Sequence, residues 1–174
     1  IWAGGGSYSM NGTFFVPNIP TEEVFTLPKR DGVNGKVYSV KPLVYNGRLI
    51  DEFSLTFKDG RVIEYDAKEG KDVLKELLEI DEGSSRLGEV ALVPHDSPIS
   101  NSGILFYNTL FDENASCHLA LGKAYPTNIK DGVTMNVEEL KAHGVNDSMT
   151  HNDFMVGAAD LHIVGEKQDG TKTD

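Results

Sequence analysis

Phe53-Ser54-Leu55-Thr56-Phe57-Lys58-Asp59-Gly60-Arg61-Val62-Ile63-Glu64-Tyr65 alternates apolar and polar side chains from Phe53 to Phe57, turns at Lys58-Asp59-Gly60-Arg61, and resumes at Val62. Asp-Gly tolerates the positive φ angles of a two-residue hairpin loop, so the stretch reads as two antiparallel strands. Lys36-Val37-Tyr38-Ser39-Val40 alternates in the same way and extends the antiparallel sheet to the amino-terminal side. On the other side, Val73, Leu74, Leu77 and Leu78 are three and four residues apart, which predicts an amphipathic helix from Lys71 to Ile80 ended near Gly83. Glu89 to Val93 is a largely apolar strand. Asp112 is placed to cap a helix from Glu113 to Leu121 with Gly122 at its end, and Asn136 to cap another ended by Gly144. His151 to Val156 and Leu161 to Val164 supply the last strands. Phe14-Phe15-Val16 is a short strand stopped by Pro17 and Pro20, and Gly4-Gly5-Gly6 before it suits close packing better than a regular element. Strands and helices in this mixed order predict an α+β fold, with residues 1–174 as one domain.

A chain of 174 residues can bury roughly 70% of its unfolded surface without staples, so a true core is expected. With 27 acidic and 16 basic residues the formal charge is −11, which repels phosphate backbones and anionic lipid. Nucleic acid and membranes are therefore not expected as partners, and no apolar run of membrane-spanning length occurs. A single cysteine, Cys117, rules out an internal disulfide and fits a reducing, cytoplasmic compartment. The chain opens at Ile1-Trp2-Ala3 with neither an initiator Met nor a secretory pattern. It closes just past a hairpin turn at Asp169-Gly170, and we expect a piece of a longer protein.

Four blocks carry the residue types of a divalent-cation site: Pro20-Thr21-Glu22-Glu23, Gly88-Glu89-Val90-Ala91, Ser116-Cys117-His118-Leu119 and His151-Asn152-Asp153. Carboxylates with neutral imidazoles and no sulfur suit a hydrolytic zinc, cobalt or manganese centre better than a closed structural zinc site, which usually takes thiolates. Counting acids and histidines proves nothing, so the surrounding strings decide. Glu89-Val90-Ala91-Leu92-Val93-Pro94-His95-Asp96-Ser97-Pro98-Ile99-Ser100 is followed by Phe106-Tyr107-Asn108-Thr109-Leu110-Phe111-Asp112-Glu113-Asn114-Ala115, then Cys117-His118-Leu119-Ala120-Leu121-Gly122, then His151-x-Asp153-Phe154-Met155. With Asn18-Ile19-Pro20-Thr21-Glu22-Glu23-Val24-Phe25-Thr26, they closely resemble the aminopeptidase T / aminopeptidase S family of metallopeptidases over residues 12–165.

The resemblance implies a mixed, largely antiparallel, barrel-like sheet flanked by helices, forming the carboxy-terminal catalytic domain of a chain with an amino-terminal α/β domain and a homodimeric assembly. It implies a metal-dependent aminopeptidase that takes peptides with a free N-terminus. The cofactor would be two divalent ions, zinc or cobalt, with manganese or magnesium as alternatives. An isolated piece is expected to be a poor catalyst. By position in the matching blocks it assigns Glu23, Glu89, His118, His151 and Asp153 as metal ligands and Tyr125, followed by Pro126, as the catalytic tyrosine.

Read without the resemblance, these residues keep other roles. His151 and Asp153 leave one face of a strand about 7 Å apart, an arrangement that solvent-facing alternation also produces. His118 could be a core histidine bonded to a carbonyl, Glu89 the exposed end of a strand, and Glu23 the acidic first turn of a helix with Glu22 as its exposed neighbour. Tyr125 could be a packing residue. Cys117 reads as a small buried residue. His95, Asp96, Asp112 and Glu113 read as supporting, capping or turn residues rather than ligands, and His143 and His162 as solvent-facing. Two rival functions stay open, a metal-binding domain without catalysis and a structural dimerisation module, and metal content separates them from an enzyme.

Overall fold

In the computed structural model, which describes residues 1–16 and 23–173, the chain begins with β1 (Ala3–Gly4), β2 (Ser7–Tyr8), β3 (Phe14–Phe15) and β4 (Val24–Thr26). It continues through β5 (Gly35–Tyr38), β6 (Leu43–Tyr45), β7 (Arg48–Lys58), β8 (Arg61–Glu69), helix α1 (Lys71–Leu78) and β9 (Leu87–Leu92). Then come α2 (Pro98–Ser102), α3 (Thr109–Asp112), β10 (His118–Gly122), α4 (Val137–Ala142), β11 (His151–Met155) and the hairpin of β12 (Gly165–Glu166) and β13 (Lys172–Thr173). The expectations for Asn18 to Glu22, including the stops at Pro17 and Pro20, lie outside the described residues.

The hairpin at Asp59-Gly60 forms as its sequence predicts. Both residues have positive φ, 49° and 78°, and the turn joins the two longest strands. Only glycine fits the second position, because a Cβ there would lie 1.8 Å from the carbonyl oxygen of Arg30. Asn46-Gly47, with φ of 50° and 74°, makes the equivalent turn between β6 and β7. These strands form one antiparallel layer in which β7 pairs with β5, β6 and β8. Gly70 opens α1, whose Val73, Leu74, Leu77 and Leu78 are buried against this layer while its charged residues stay outside.

The second layer is a five-stranded sheet in the order β1-β4-β9-β10-β11, with every pairing antiparallel. One face packs on the first layer: Leu87, Leu121 and Phe154 join Ile50, Phe53, Leu55, Leu74 and Leu77 in a single cluster, with the Phe53 and Phe154 rings 5.5 Å apart. The α+β reading holds, but the sheet is open rather than barrel-like, because β1 and β11 end it without pairing to each other. No helix among the described residues is long and apolar enough to cross a membrane.

Two local expectations fail. Residues 113–121 are not a helix: a single 3₁₀ turn at Glu113–Ala115 stops at Ser116, whose φ of −164° and ψ of 167° are extended, and β10 follows. β10 is flanked by paired strands and largely buried on both faces, so its run of Leu, Ala and Leu lacks alternation and reads equally well as helix. Asp112 consequently ends α3 instead of opening a helix, and Asn108 is the cap. Leu161 to Val164 is exposed and outside any strand. The Asn136 cap is observed, with Glu139 closing a reciprocal capping box.

Because Leu77 is fully buried in the core cluster that α1 shares with the two layers, Leu77→Ala should cost about 2–5 kcal/mol. The exposed Lys75→Ala should stay within about 0.5 kcal/mol. Midpoints of urea unfolding compare the two variants directly.

Candidate metal centre

On the face of the five-stranded sheet away from the core, the pairing register builds the site. Ala120 in β10 lies opposite Glu89 on one side and Asp153 on the other, so these three residues form a row with side chains on one face. His118 precedes Ala120 by two and His151 precedes Asp153 by two, which puts both imidazoles on the same face. Phe25 in β4 pairs with Ala91, itself two residues from Glu89, and Glu23 precedes Phe25 by two. Glu23, Glu89, His118 and Asp153 are all nearly or fully inaccessible, with exposures of 9, 5, 1 and 7%. Ala120, at 0%, keeps the middle of the row free of bulk.

The histidines are oriented from behind. His118 Nδ1 is 3.0 Å from the carbonyl oxygen of Ser116 and His151 Nδ1 is 2.7 Å from that of Lys123, so each ring donates Nδ1–H to backbone and aims Nε2 at the acids. Such backing is the usual support of a metal-bound imidazole. His118 Nε2 lies 3.5 Å from both Glu23 Oε1 and Glu89 Oε1. His151 Nε2 lies 3.3 Å from Asp153 Oδ1 and 3.7 Å from Glu89 Oε2. Ligand atoms around a cation with bonds of about 2.1 Å sit roughly 3–3.5 Å apart, so the spacing is that of a coordination shell. Among the described residues, His118 Nε2 and Asp153 Oδ1 are buried without a hydrogen-bond partner. Orphaned buried atoms of this kind carry a desolvation cost that a cation would remove.

Among the described residues, three groups could each hold an ion, with ligand atoms all within 4.8 Å of one another: Glu23, Glu89 and His118; Glu89, His151 and Asp153; and Glu113, His118 and Asp153. All five residues expected as ligands are therefore brought together, and Glu113 joins them. The sequence reads Glu113 as a supporting, capping or turn residue. A glutamate five residues before His118 gives no periodic signal, because a 3₁₀ turn and an extended residue fold the chain back between them. Ala120 was equally invisible, since nothing in an alanine announces that its smallness matters.

Titration of the cluster reflects its demand for positive charge. Burial works against the charged form of His118, yet the Glu23 and Glu89 carboxylates hold it well above the usual imidazole range. His151, also opposed by burial, is raised to about 9 by Asp153 and the Lys123 carbonyl. Burial pushes Glu89 up, and burial with the neighbouring Asp153 charge pushes Glu113 up to about 8. Asp153 is held low despite its burial, chiefly by His151. Tyr125 is raised by burial and then by the Glu89 and Asp153 charges, and its ring centroid lies 5.0 Å from that of His151 and 6.0 Å from that of Phe25.

The remaining polar residues stay outside the three groups. Asp112 accepts backbone N–H bonds from Phe106 and Asn108 at 2.8 and 3.0 Å and fixes the loop before α3, a turn role as expected. Asp96 accepts from Asn101 at 2.7 Å, and His95 lines a separate small cavity beside Cys117. The Cys117 thiol, partly buried, contacts the backbone of Val93. His143 and His162 are exposed. The carboxylates open onto a cavity of about 800 Å³ whose lining also includes Phe15, Phe25, Leu110 and Tyr125.

Comparison with known proteins identifies the family. A family profile described as "Thermophilic metalloprotease (M29)" matches residues 1–174. Aminopeptidase 2 of Geobacillus stearothermophilus is 61% identical over 172 residues, and aminopeptidase T of Thermus aquaticus is 44% identical over 172. Both alignments cover 99% of this chain and 42% of the relative, so the chain spans less than half the length of these relatives. Wild-type AmpT from Thermus thermophilus superposes with a TM-score of 0.91 at 43% identity, covering 99% of this chain and 42% of that one. A profile matched along the whole length, alignments at 43–61% identity over 99% of this chain and the shared fold agree: the chain belongs to the thermophilic metalloprotease (M29) family.

Proposed function

We propose that residues 1–174 are the metal-bearing domain of an aminopeptidase in which two divalent cations, each held by one of two ligand sets that share Glu89, serve the hydrolysis of an N-terminal peptide bond. The observation that carries this reading is the overlap of Glu23, Glu89 and His118 with Glu89, His151 and Asp153: each set would hold one divalent cation, and the Glu89 carboxylate belongs to both. Charge supports it too: once Glu113 gives up its proton, Glu23, Glu89, Glu113 and Asp153 carry four negative charges, which two divalent cations balance. Oxygen and imidazole donors without thiolate favour zinc or cobalt and admit manganese or magnesium. Bound there, divalent cations acidify a water and polarise a carbonyl.

The chain's own side chains supply the rest. Tyr125, 44% exposed and lining the same cavity, is placed to donate its phenolic hydrogen bond to the substrate carbonyl oxygen as negative charge develops there. A cluster carboxylate passes a proton to the leaving nitrogen. The names of the relatives support peptides with a free N-terminus as substrates, and a cytoplasmic homodimer is the setting we propose.

Metal content and chelator-sensitive release of an N-terminal residue by the full-length protein test the reading. About two equivalents of zinc or cobalt with activity lost to chelation is the expected result. One tightly held ion without turnover favours a structural site, and none favours an interaction module. Ala120→Val adds bulk between Glu89 and Asp153 and should cut cation affinity at least tenfold in a protein that stays folded, read by competition with a chromogenic chelator. Tyr125→Phe should lower kcat by roughly 10²–10³ with metal content unchanged, because only a bond to the developing oxyanion is lost.

A further inference from the structure

We infer that Phe25, Leu110 and Phe15 form the subsite for the side chain of the substrate's N-terminal residue, and that this subsite selects large aliphatic or aromatic residues over small or acidic ones. The inference rests on the aminopeptidase reading above and adds a substrate class to it.

Two elements that bring a carboxylate to the cluster also turn an apolar side chain into the same cavity. Phe25 is two residues after Glu23 where the chain enters β4, and so shares its face of the sheet. Leu110 is three residues before Glu113, and the helical backbone is continuous between them, so both lie on one helical face. Both pairs line the cavity. Phe15 comes from the β2–β3 hairpin. Phe14 packs on Tyr8 with ring centroids 5.3 Å apart, and strand alternation sends Phe15 to the other side, into the cavity. The hairpin lies close because Gly4 lacks a Cβ: one placed there would be 2.6 Å from the carbonyl oxygen of Glu23.

The apolar wall is not satisfied by packing within the described residues. Leu110 and Phe15 are 50% and 42% exposed, although Phe111, next to Leu110 in sequence, pairs with Phe106 at 5.7 Å. Large apolar groups exposed around a polar cleft mark a binding surface. The cavity of about 800 Å³ is in the size range of small-ligand sites, and its lining combines acids and an imidazole with Phe15, Phe25 and Leu110. A substrate whose amine and scissile carbonyl sit at the acids has its first side chain one strand step away, within reach of Phe25. No lysine or arginine occurs among the described lining residues, so an acidic side chain entering there would lose its water without gaining a partner.

The test is kcat/KM of the metal-loaded full-length protein on leucyl, phenylalanyl, alanyl and glutamyl p-nitroanilides, repeated for Leu110→Ala and Phe15→Ala. Both side chains are about half exposed, so neither substitution should unfold the protein. We expect leucyl and phenylalanyl substrates to be favoured about 10–100-fold over alanyl, glutamyl to be the slowest, and the leucyl-to-alanyl ratio to fall about 5–10-fold in each variant. Metal-dependent hydrolysis of all four substrates at similar kcat/KM, or a ratio that neither variant changes, would overturn the subsite while leaving the aminopeptidase reading intact. No metal-dependent hydrolysis of any substrate would remove that reading and the subsite with it.

Discussion

Four carboxylates and two imidazoles gathered on one face of a sheet, with most of them shielded from water, make a charge arrangement that ordinary packing cannot stabilise. Like-charged acids at such separations repel, and desolvation raises the cost further, so the arrangement needs positive charge at its centre. Protons supply part of it, which is why both histidines titrate high and Glu113 holds its proton to about 8. Divalent cations supply it better, since they also use the lone pairs that His118 Nε2 and Asp153 Oδ1 leave unsatisfied. The rest of the structure can be understood as the means of holding this repulsive set in place.

That support comes from the opposite face. Every strand that carries a candidate ligand within it also contributes to the wall behind: Leu87 from β9, Leu121 from β10 and Phe154 from β11 anchor the sheet on the β7–β8 layer and α1. The entry to β11 is fixed separately. Asp81 accepts hydrogen bonds from the backbone of Gly83, Ser84 and Met149 and from the Ser148 hydroxyl, pinning the loop that delivers His151 to the end of α1. The Asn146 amide bridges the carbonyls of Gly83 and Gly122 at 2.9 and 2.6 Å, locking the exit of β10 to the same loop. Displacement of the donor atoms by even an ångström would spoil coordination, and these bonds oppose it.

Much of this was legible in the sequence where local chemistry decides local structure. The Asp59-Gly60 hairpin, the stripe of α1 and the Asn136 cap follow from turn geometry, period and capping. The five ligand candidates came from long matching blocks rather than from spacing, and no count of acids and histidines would have found them. What stayed hidden depends on tertiary pairing. β10 looks helical because a strand buried on both faces has no alternation, and Glu113 reaches the site only through the bend at Ser116. The openness of the sheet is likewise a property of which edges remain unpaired, which no segment records on its own.

The central claim is that Glu89 is shared by two cations. Crystals grown with zinc, with diffraction recorded on both sides of the zinc absorption edge, test it most directly. Two anomalous peaks about 3.5–4 Å apart are expected, with the Glu89 carboxylate between them, one beside His118 and the other beside His151 and Asp153. A single peak enclosed by four ligands, or none near Glu89, would contradict it.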